Sequence, residues 1–218
     1  MNNQINESKL KPIRILFQGD SVTDEERDRS NPHHLGKGYA KFCAQSLITK
    51  FPARELKFIN LGISGNKSED LLRRWKTDCI DIKPDIVCLM IGINDVWHSY
   101  SYGLNITPTE YADNCRQMLE DLKKETYAKI ILMEPFLLDN PEKPFRGRLD
   151  PNIDILRTLA KEYADLYIPL DGMITAAAIE YPEQELTYDG VHPKEYGAKL
   201  IGEWSASAIE KIINKYEL

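Results

Sequence analysis

Short apolar runs alternate with amphipathic stretches from one end of this chain to the other, and that rhythm restricts the fold more than any other feature. "IRILF" (Ile13 to Phe17), "LKFIN" (Leu56 to Asn60), "DIVCLMIGI" (Asp85 to Ile93), "KIILMEP" (Lys129 to Pro135) and "LYIPL" (Leu166 to Leu170) read as five strands. The third is apolar on both faces, as a parallel strand between two helix layers must be. Helical spacing is visible over Tyr39 to Phe51, Ser68 to Cys79, Asn152 to Ala164 and from Pro193 onward, where Leu200, Ile201, Trp204, Ala208 and Ile212 recur on one side. Another helix is signalled by Thr107-Pro108-Thr109-Glu110, with a Thr cap, Pro at the first helical position and Glu at the third. Strand-helix alternation of this kind predicts an α/β fold with a five-stranded parallel sheet, right-handed crossovers and helices on both faces. The 218 residues suit a single domain over 1–218. The one long irregular stretch is Leu137 to Pro151, "LLDNPEKPFRGRLDP", which reads either as a functional loop or as a solvated connection.

Charge and cysteine usage narrow the function classes. A formal net charge of -6, with no basic block, speaks against general affinity for nucleic acid or anionic membranes. The start "MNNQINESKL" lacks a basic region followed by an apolar run, and no segment has the apolar length of a membrane span, so a cytoplasmic location is expected. Cys43, Cys79, Cys88 and Cys115 form no C-x-x-C pair and have no histidine at zinc-ligand spacing; each lies in an apolar pattern and is expected to be a buried free thiol. No metal or other cofactor is expected. A homo-oligomer is neither demanded nor excluded.

In open α/β sheets, ligands bind outside the carboxyl ends of the strands. Gly19-Asp20-Ser21 follows the first strand, "NLGISGN" (Asn60 to Asn66) the second, and Gly92-Ile93-Asn94-Asp95 the third. Asp189-Gly190-Val191-His192-Pro193 follows the fifth, past one short helix. Singly, each has a plain structural reading: a turn with a helix cap, a turn asparagine, an Asx-turn, a helix entry. Together they supply the parts of acyl transfer by a serine: a nucleophile, a base within reach, a carboxylate to orient the base, and donors for an oxyanion. Ser21, His192 and Asp189 fill the first three roles. The backbone N–H groups of Ser21 and Gly65 and the side-chain amide of Asn94 are candidates for the last. Glycine at 65 lets the backbone approach a substrate with no side chain between.

The same blocks carry a resemblance. "FQGDSVTD", "NLGISGN", "IGINDVW" and "YDGVHP" resemble the four sequence blocks of the SGNH, or GDSL-like, hydrolases, over almost the whole chain. Val22 stands where the family's nickname has Leu. The resemblance implies a three-layer α/β/α sandwich of flavodoxin-like type, Ser21 as nucleophile, Gly65 and Asn94 completing the oxyanion hole, and Asp189 and His192 finishing the triad. No G-x-S-x-G elbow occurs, in keeping with a scaffold other than the α/β-hydrolase fold. Within the family, "KGYAKF", "NLGISGNKSEDLLRRW", "MIGINDVWH" and "YDGVHP" look most like intracellular acetylxylan or acetyl-xylo-oligosaccharide esterases. A short-chain, acetyl-removing serine esterase is therefore expected, with a small acylated carbohydrate or other short-chain ester as its partner. Should a helix begin near Ser21, its dipole would favour the developing negative charge.

Trp75, Trp97, Tyr100, Tyr102 and Tyr188 lie near these motifs in sequence, and aromatic faces suit sugar rings, although each also reads as core. Asp20, Trp97 and Tyr188 are the candidate substrate contacts. His33-His34 reads as a solvated loop pair. A lysophospholipase or thioesterase of the same superfamily is the alternative substrate class. Two readings of other classes are weaker. A dinuclear metallophosphoesterase needs more His and Asp ligands than accompany His33, His34, His98 and His192. A non-catalytic carbohydrate-binding protein would not need every member of a triad. Dinucleotide binding lacks its G-x-G-x-x-G after the first strand.

Overall fold

The computed structural model describes residues 11–218; the N-terminal segment read above for a signal lies outside the described residues. Five strands form one parallel sheet: β1 (Ile13–Gly19), β2 (Leu56–Asn60), β3 (Ile86–Met90), β4 (Lys129–Met133) and β5 (Leu166–Ile168), in the order β2-β1-β3-β4-β5. The α/β class and the five parallel strands are those the apolar runs predict. The chain winds outward from β1 to β2, then crosses back to β3, so strand order reverses between β1 and β3. Ligand crevices open at such a reversal. Gly19 pairs in register with Met90, which places the segments leaving β1 and β3 side by side at the carboxyl edge.

Period-two alternation sorts the strand side chains onto two cores. Ile86, Cys88 and Met90 join Ile15 and Phe17 beneath α2 (Tyr39–Lys50) and α9 (Glu195–Tyr216). Val87, Leu89 and Ile91 join Leu16 on the other face, beneath α3 (Ser68–Trp75), α5 (Pro108–Glu125) and α6 (Arg146–Tyr163). Sheet and two helix layers make the α/β/α sandwich. All four cysteines are free and buried within these cores.

Several boundaries differ from the sequence reading, each for a physical reason. At the start of α5 the capping box forms as its motif predicts, with Glu110 N–H on Thr107 Oγ1 at 3.1 Å and Thr107 N–H on Glu110 Oε2 at 2.7 Å. The helix after β2 stops at Trp75 and continues as a π-helical turn, Lys76–Ile80. α6 begins at Arg146, six residues early, with Pro151 inside it; a proline reads as a helix boundary, but here the helix runs through it. The Leu137 to Pro151 stretch is thus irregular only up to Phe145. β5 ends at Ile168, and two helices, α7 (Leu170–Glu180) and α8 (Glu183–Leu186), precede the Asp189 loop where one short helix was expected. α4 (Ile93–Tyr102) follows β3 directly. It was not legible because its buried face carries Asn94, Asp95 and Ser99 beside Val96.

Candidate active site

Ser21 opens α1 (Ser21–Asp24), a single helical turn. One turn is too short for a substantial macrodipole, so the dipole expected behind Ser21 shrinks to the unpaired N–H groups of a first turn. The turn is built by close backbone approach. A Cβ on Gly19 would meet Met90 O at 2.3 Å, and one on Gly62 would meet Asp24 N at 2.5 Å. Asn60, fully buried, donates from Nδ2 to Thr23 O at 2.7 Å and accepts from Gly62 N–H at 3.0 Å. Ser64 N–H donates to Asp24 Oδ2 at 2.8 Å, and Ile63 N–H to Gly19 O at 3.1 Å. The loop after β2 is thereby fastened along the Ser21 turn.

Arg74 on α3 ties the same loop from below. Its guanidinium donates to Leu61 O at 2.8 Å, Asn66 Oδ1 at 2.8 Å and Gln18 Oε1 at 3.1 Å. Gly65, the residue between Ser64 and Asn66, has φ +83° with nothing within 4 Å of where a Cβ would sit. That is a left-handed position facing open space, the combination a glycine serves. From α4, Asn94 Nδ2 donates to Asn66 O at 3.1 Å, leaving its second amide hydrogen for another acceptor. Gly65 and Asn94 are therefore brought to one place from two different strand ends.

The third group arrives on the loop before α9. Ser21 Oγ and His192 Nε2 are 2.9 Å apart, and His192 Nδ1 lies 3.0 Å from Asp189 Oδ2. Asp189 Oδ1 accepts from the backbone N–H groups of Val191 (3.1 Å) and His192 (2.8 Å). Burial pushes the Asp189 carboxyl up, but its hydrogen bonds from the His192 ring and backbone, with the nearby imidazole charge, hold it well below the usual carboxylate range. The bond to Asp189 raises His192 above its ordinary value, burial opposes this, and the charges of Asp189, Asp20 and Glu25 add to the rise. An imidazole so placed has the geometry to take a proton from Ser21 Oγ at Nε2, with Asp189 holding the tautomer at Nδ1.

The remaining candidates separate. Trp97 lies against the site, its ring 5.8 Å from that of His192 and 6.1 Å from Phe145. Tyr188, next to Asp189 in the chain, is exposed. Asp20 is 1% exposed, and its Oδ1 accepts from Val22 N–H at 3.1 Å. It caps α1 from inside rather than facing a ligand, and burial raises its carboxyl to about 7. Trp75 is buried among α3 and α5 residues, donating to Met118 O at 2.8 Å; it is core. His33 Nδ1 lies 2.9 Å from Phe58 O, and His34 Nδ1 accepts from Asp28 N–H, so that pair organises its own loop. Among the described residues no group of three His, Cys, Asp or Glu side chains is placed to hold a metal ion, and no helix is long and apolar enough to cross a membrane.

Three residues at the site carry no individual sequence signal, although Lys143 and Phe145 fall within the Leu137 to Pro151 stretch. Lys143 Nζ lies 3.1 Å from Asp189 Oδ2 and 4.7 Å from the centre of the Trp97 ring. Phe145 packs on Trp97. Glu25 leaves α1 with φ +30° and is close enough to His192 for its charge to be felt there.

Comparison with known proteins identifies the family. Residues 17–200 match the GDSL-like lipase/acylhydrolase family. The chain is 33% identical to an acetylxylan esterase of Geobacillus stearothermophilus over 196 residues, covering 86% of this chain and 90% of the relative. A crystal structure of an acetylxylan esterase from the same organism superposes with a TM-score of 0.80 at 32% identity, covering 88% of this chain and 91% of that one. LAE5, an alpha/beta hydrolase enzyme from the metagenome of Lake Arreo, Spain, gives a TM-score of 0.80 at 30% identity, covering 87% and 91%. The chain belongs to the GDSL-like lipase/acylhydrolase family, and it is a carboxylic ester hydrolase.

Proposed function

We propose that this member of the GDSL-like family is a serine esterase that removes short acyl groups, acetyl foremost, from carbohydrate esters such as acetylated xylo-oligosaccharides. The observation that carries the reading is the unbroken chain Ser21 Oγ, His192 Nε2, His192 Nδ1, Asp189 Oδ2, with steps of 2.9 and 3.0 Å. As Ser21 Oγ attacks the ester carbonyl, its proton passes to His192 Nε2. The carbonyl oxygen takes the negative charge and receives N–H donors from Ser21, Gly65 and Asn94 Nδ2. Collapse returns the proton to the departing sugar hydroxyl and leaves an acyl-Ser21. Water, deprotonated by His192, then releases the carboxylate and restores the serine.

Substrate class rests on what borders the serine. Trp97 presents a ring beside His192, and Tyr188 stands exposed next to Asp189. Beyond Tyr188 lies an open groove of about 360 Å³ whose walls include Glu25, Lys37, Lys41 and Lys194. Aromatic faces with charged neighbours match a hydroxylated ring better than a hydrocarbon tail. The relatives named acetylxylan esterase support the same choice.

The test is a series of p-nitrophenyl esters of rising acyl length, run beside acetylated xylo-oligosaccharides and a lysophospholipid. Acetyl is expected to be cleaved fastest, and the oligosaccharides to lose acetate. An acyl tunnel would contribute about 0.8 kcal/mol per buried methylene, so kcat/KM rising towards octanoyl would move the protein to the lysophospholipase or thioesterase class.

A further inference from the structure

Among the described residues Lys143 is the one buried lysine. Its ammonium reaches Asp189 Oδ2, the same oxygen that faces His192 Nδ1. The segment bearing it is fastened to the His192 loop by two hydrogen bonds and braced by a third within itself. Leu138 N–H donates to Gly190 O at 2.9 Å, Asn140 Nδ2 to Asp189 O at 2.9 Å, and Lys143 N–H to Asn140 O at 2.9 Å. Behind it, Arg146 closes the segment onto Asp171, with Nη1 2.9 Å from both carboxylate oxygens. The ammonium also lies 4.7 Å from the centre of the Trp97 ring, which is itself 5.8 Å from that of His192. A flexible lysine head is thus confined to one place.

Asp189 does not need this lysine to stay where it is. Two backbone N–H groups and the imidazole already satisfy the carboxylate. What Lys143 adds is charge. The charged groups that bear on His192 are Asp189 on its own loop and, from the Ser21 turn, Asp20 and Glu25, all carboxylates. Trp97 on α4 contributes only a ring. With carboxylates alone, the imidazole would hold its proton tightly and be idle as a base until the pH rose.

We propose that Lys143 is a positioning residue for the triad that sets its working pH, its ammonium sharing an Asp189 oxygen with the His192 ring and so weakening the hold of that ring on a proton. This rests on the serine-esterase reading for its consequence in catalysis, but not for its effect on the ring itself. A like charge disfavours a second positive charge nearby, so removing the ammonium strengthens proton binding at His192.

The experiment follows the His192 ring by NMR through a pH titration in the absence of substrate, with the signal assigned by His192→Gln. It is run on the unaltered protein and on Lys143→Met, Lys143→Gln and Lys143→Arg, alongside kcat/KM against pH. In the two neutral variants the ring pKa should rise by about one unit. The acid limb of kcat/KM should move up with it, while the high-pH plateau stays within a few-fold. Lys143→Arg keeps the charge and should titrate close to the unaltered protein. An unmoved ring pKa in both neutral variants overturns the proposal, as does a lowered plateau with an unmoved limb, which marks a purely structural role. Failure of both neutral variants to fold also overturns it. An unaltered protein with no esterase activity would remove the catalytic reading, and the ring titration would still decide the question.

Discussion

The Ser21 turn and the Asp189-His192 loop meet at 2.9 Å, yet they are held by different means. The turn is fixed by shape: Gly19 and Gly62 lie where any Cβ would strike backbone, and buried Asn60 and Asp24 accept or donate to main-chain groups. The loop is held by its own backbone hydrogen bonds and by segments folded over it, and charge bears on its ring. Asp189 is ion-paired to Lys143, Gly190 accepts from Leu138, and a Cβ on Gly190 would meet Leu138 O at 2.7 Å. Ser21, the proposed nucleophile, therefore sits on the part of the site held mainly by close backbone packing. His192, the proposed base, sits on the part whose proton affinity neighbouring charges adjust. Damage to the first should cost structure or all activity, and damage to the second should move a pH profile.

The largest effect that would separate the two regions comes from the serine itself. Ser21→Ala should lower kcat on acetyl esters by about 10⁴-fold or more, with an unchanged melting temperature, because Oγ has a partner only across the site, in His192. Activity near that of the unaltered protein in a folded Ser21→Ala would dissolve the comparison at its root. Next comes Asn94→Ala, on the wall facing both regions. It should cost roughly 10²–10³ in kcat with little change in KM, read from steady-state kinetics. A change in KM alone would make Asn94 a binding residue.

A third substitution tests the claim about shape. Gly62→Ala forces a methyl against Asp24 N and Thr23 C, 2.5 and 2.8 Å from the ideal Cβ. Overpacking of this kind costs about 1–3 kcal/mol, so chemical denaturation should show that loss together with reduced activity. Wild-type stability would mean the turn is softer than its contacts imply.

The smallest expected effect is on pH, from the buried carboxylate beneath the turn. Burial raises Asp20 to about 7 from 3.8. Its stabilising neutral form is fully present below the unfolded value and is lost as pH rises through the folded one, so folding weakens between about pH 4 and 7. Asp20→Asn keeps an acceptor for Val22 N–H and removes that loss. It should be more stable than the unaltered protein at pH 8 and about equal to it at pH 4. Without the Asp20 charge, the acid limb of kcat/KM should also fall to lower pH, opposite to the Lys143 variants. A stability difference independent of pH would contradict the charge account.

What the sequence made readable divides along the same line. The strands announced themselves because burial on both faces demands unbroken apolar runs, as at Ile86 to Met90. The positions of Ser21, Asn94 and His192 were readable because each follows a strand or a loop motif whose spacing is local. Gly65 was readable as a residue but not as a left-handed backbone facing open space. Lys143 was invisible: a lysine in "NPEKPF" looks like solvent, and only the docking of Asn140 on Asp189 O brings it inside. α4 was missed because its inward face is polar, serving the site rather than the core. The dipole expected behind Ser21 shrank because Glu25, left-handed at φ +30°, ends α1 after one turn.

The central claim is that the ester passes through a covalent bond to Ser21 Oγ. It is tested most directly by acid-quenching the protein during turnover of an acetylated xylo-oligosaccharide and locating the acyl group by peptide mass spectrometry. The account predicts one added acetyl group, on the peptide containing Ser21 and absent from Ser21→Ala. Acetate released in turnover with no acetyl on that peptide, or with the acetyl on another residue, would contradict it.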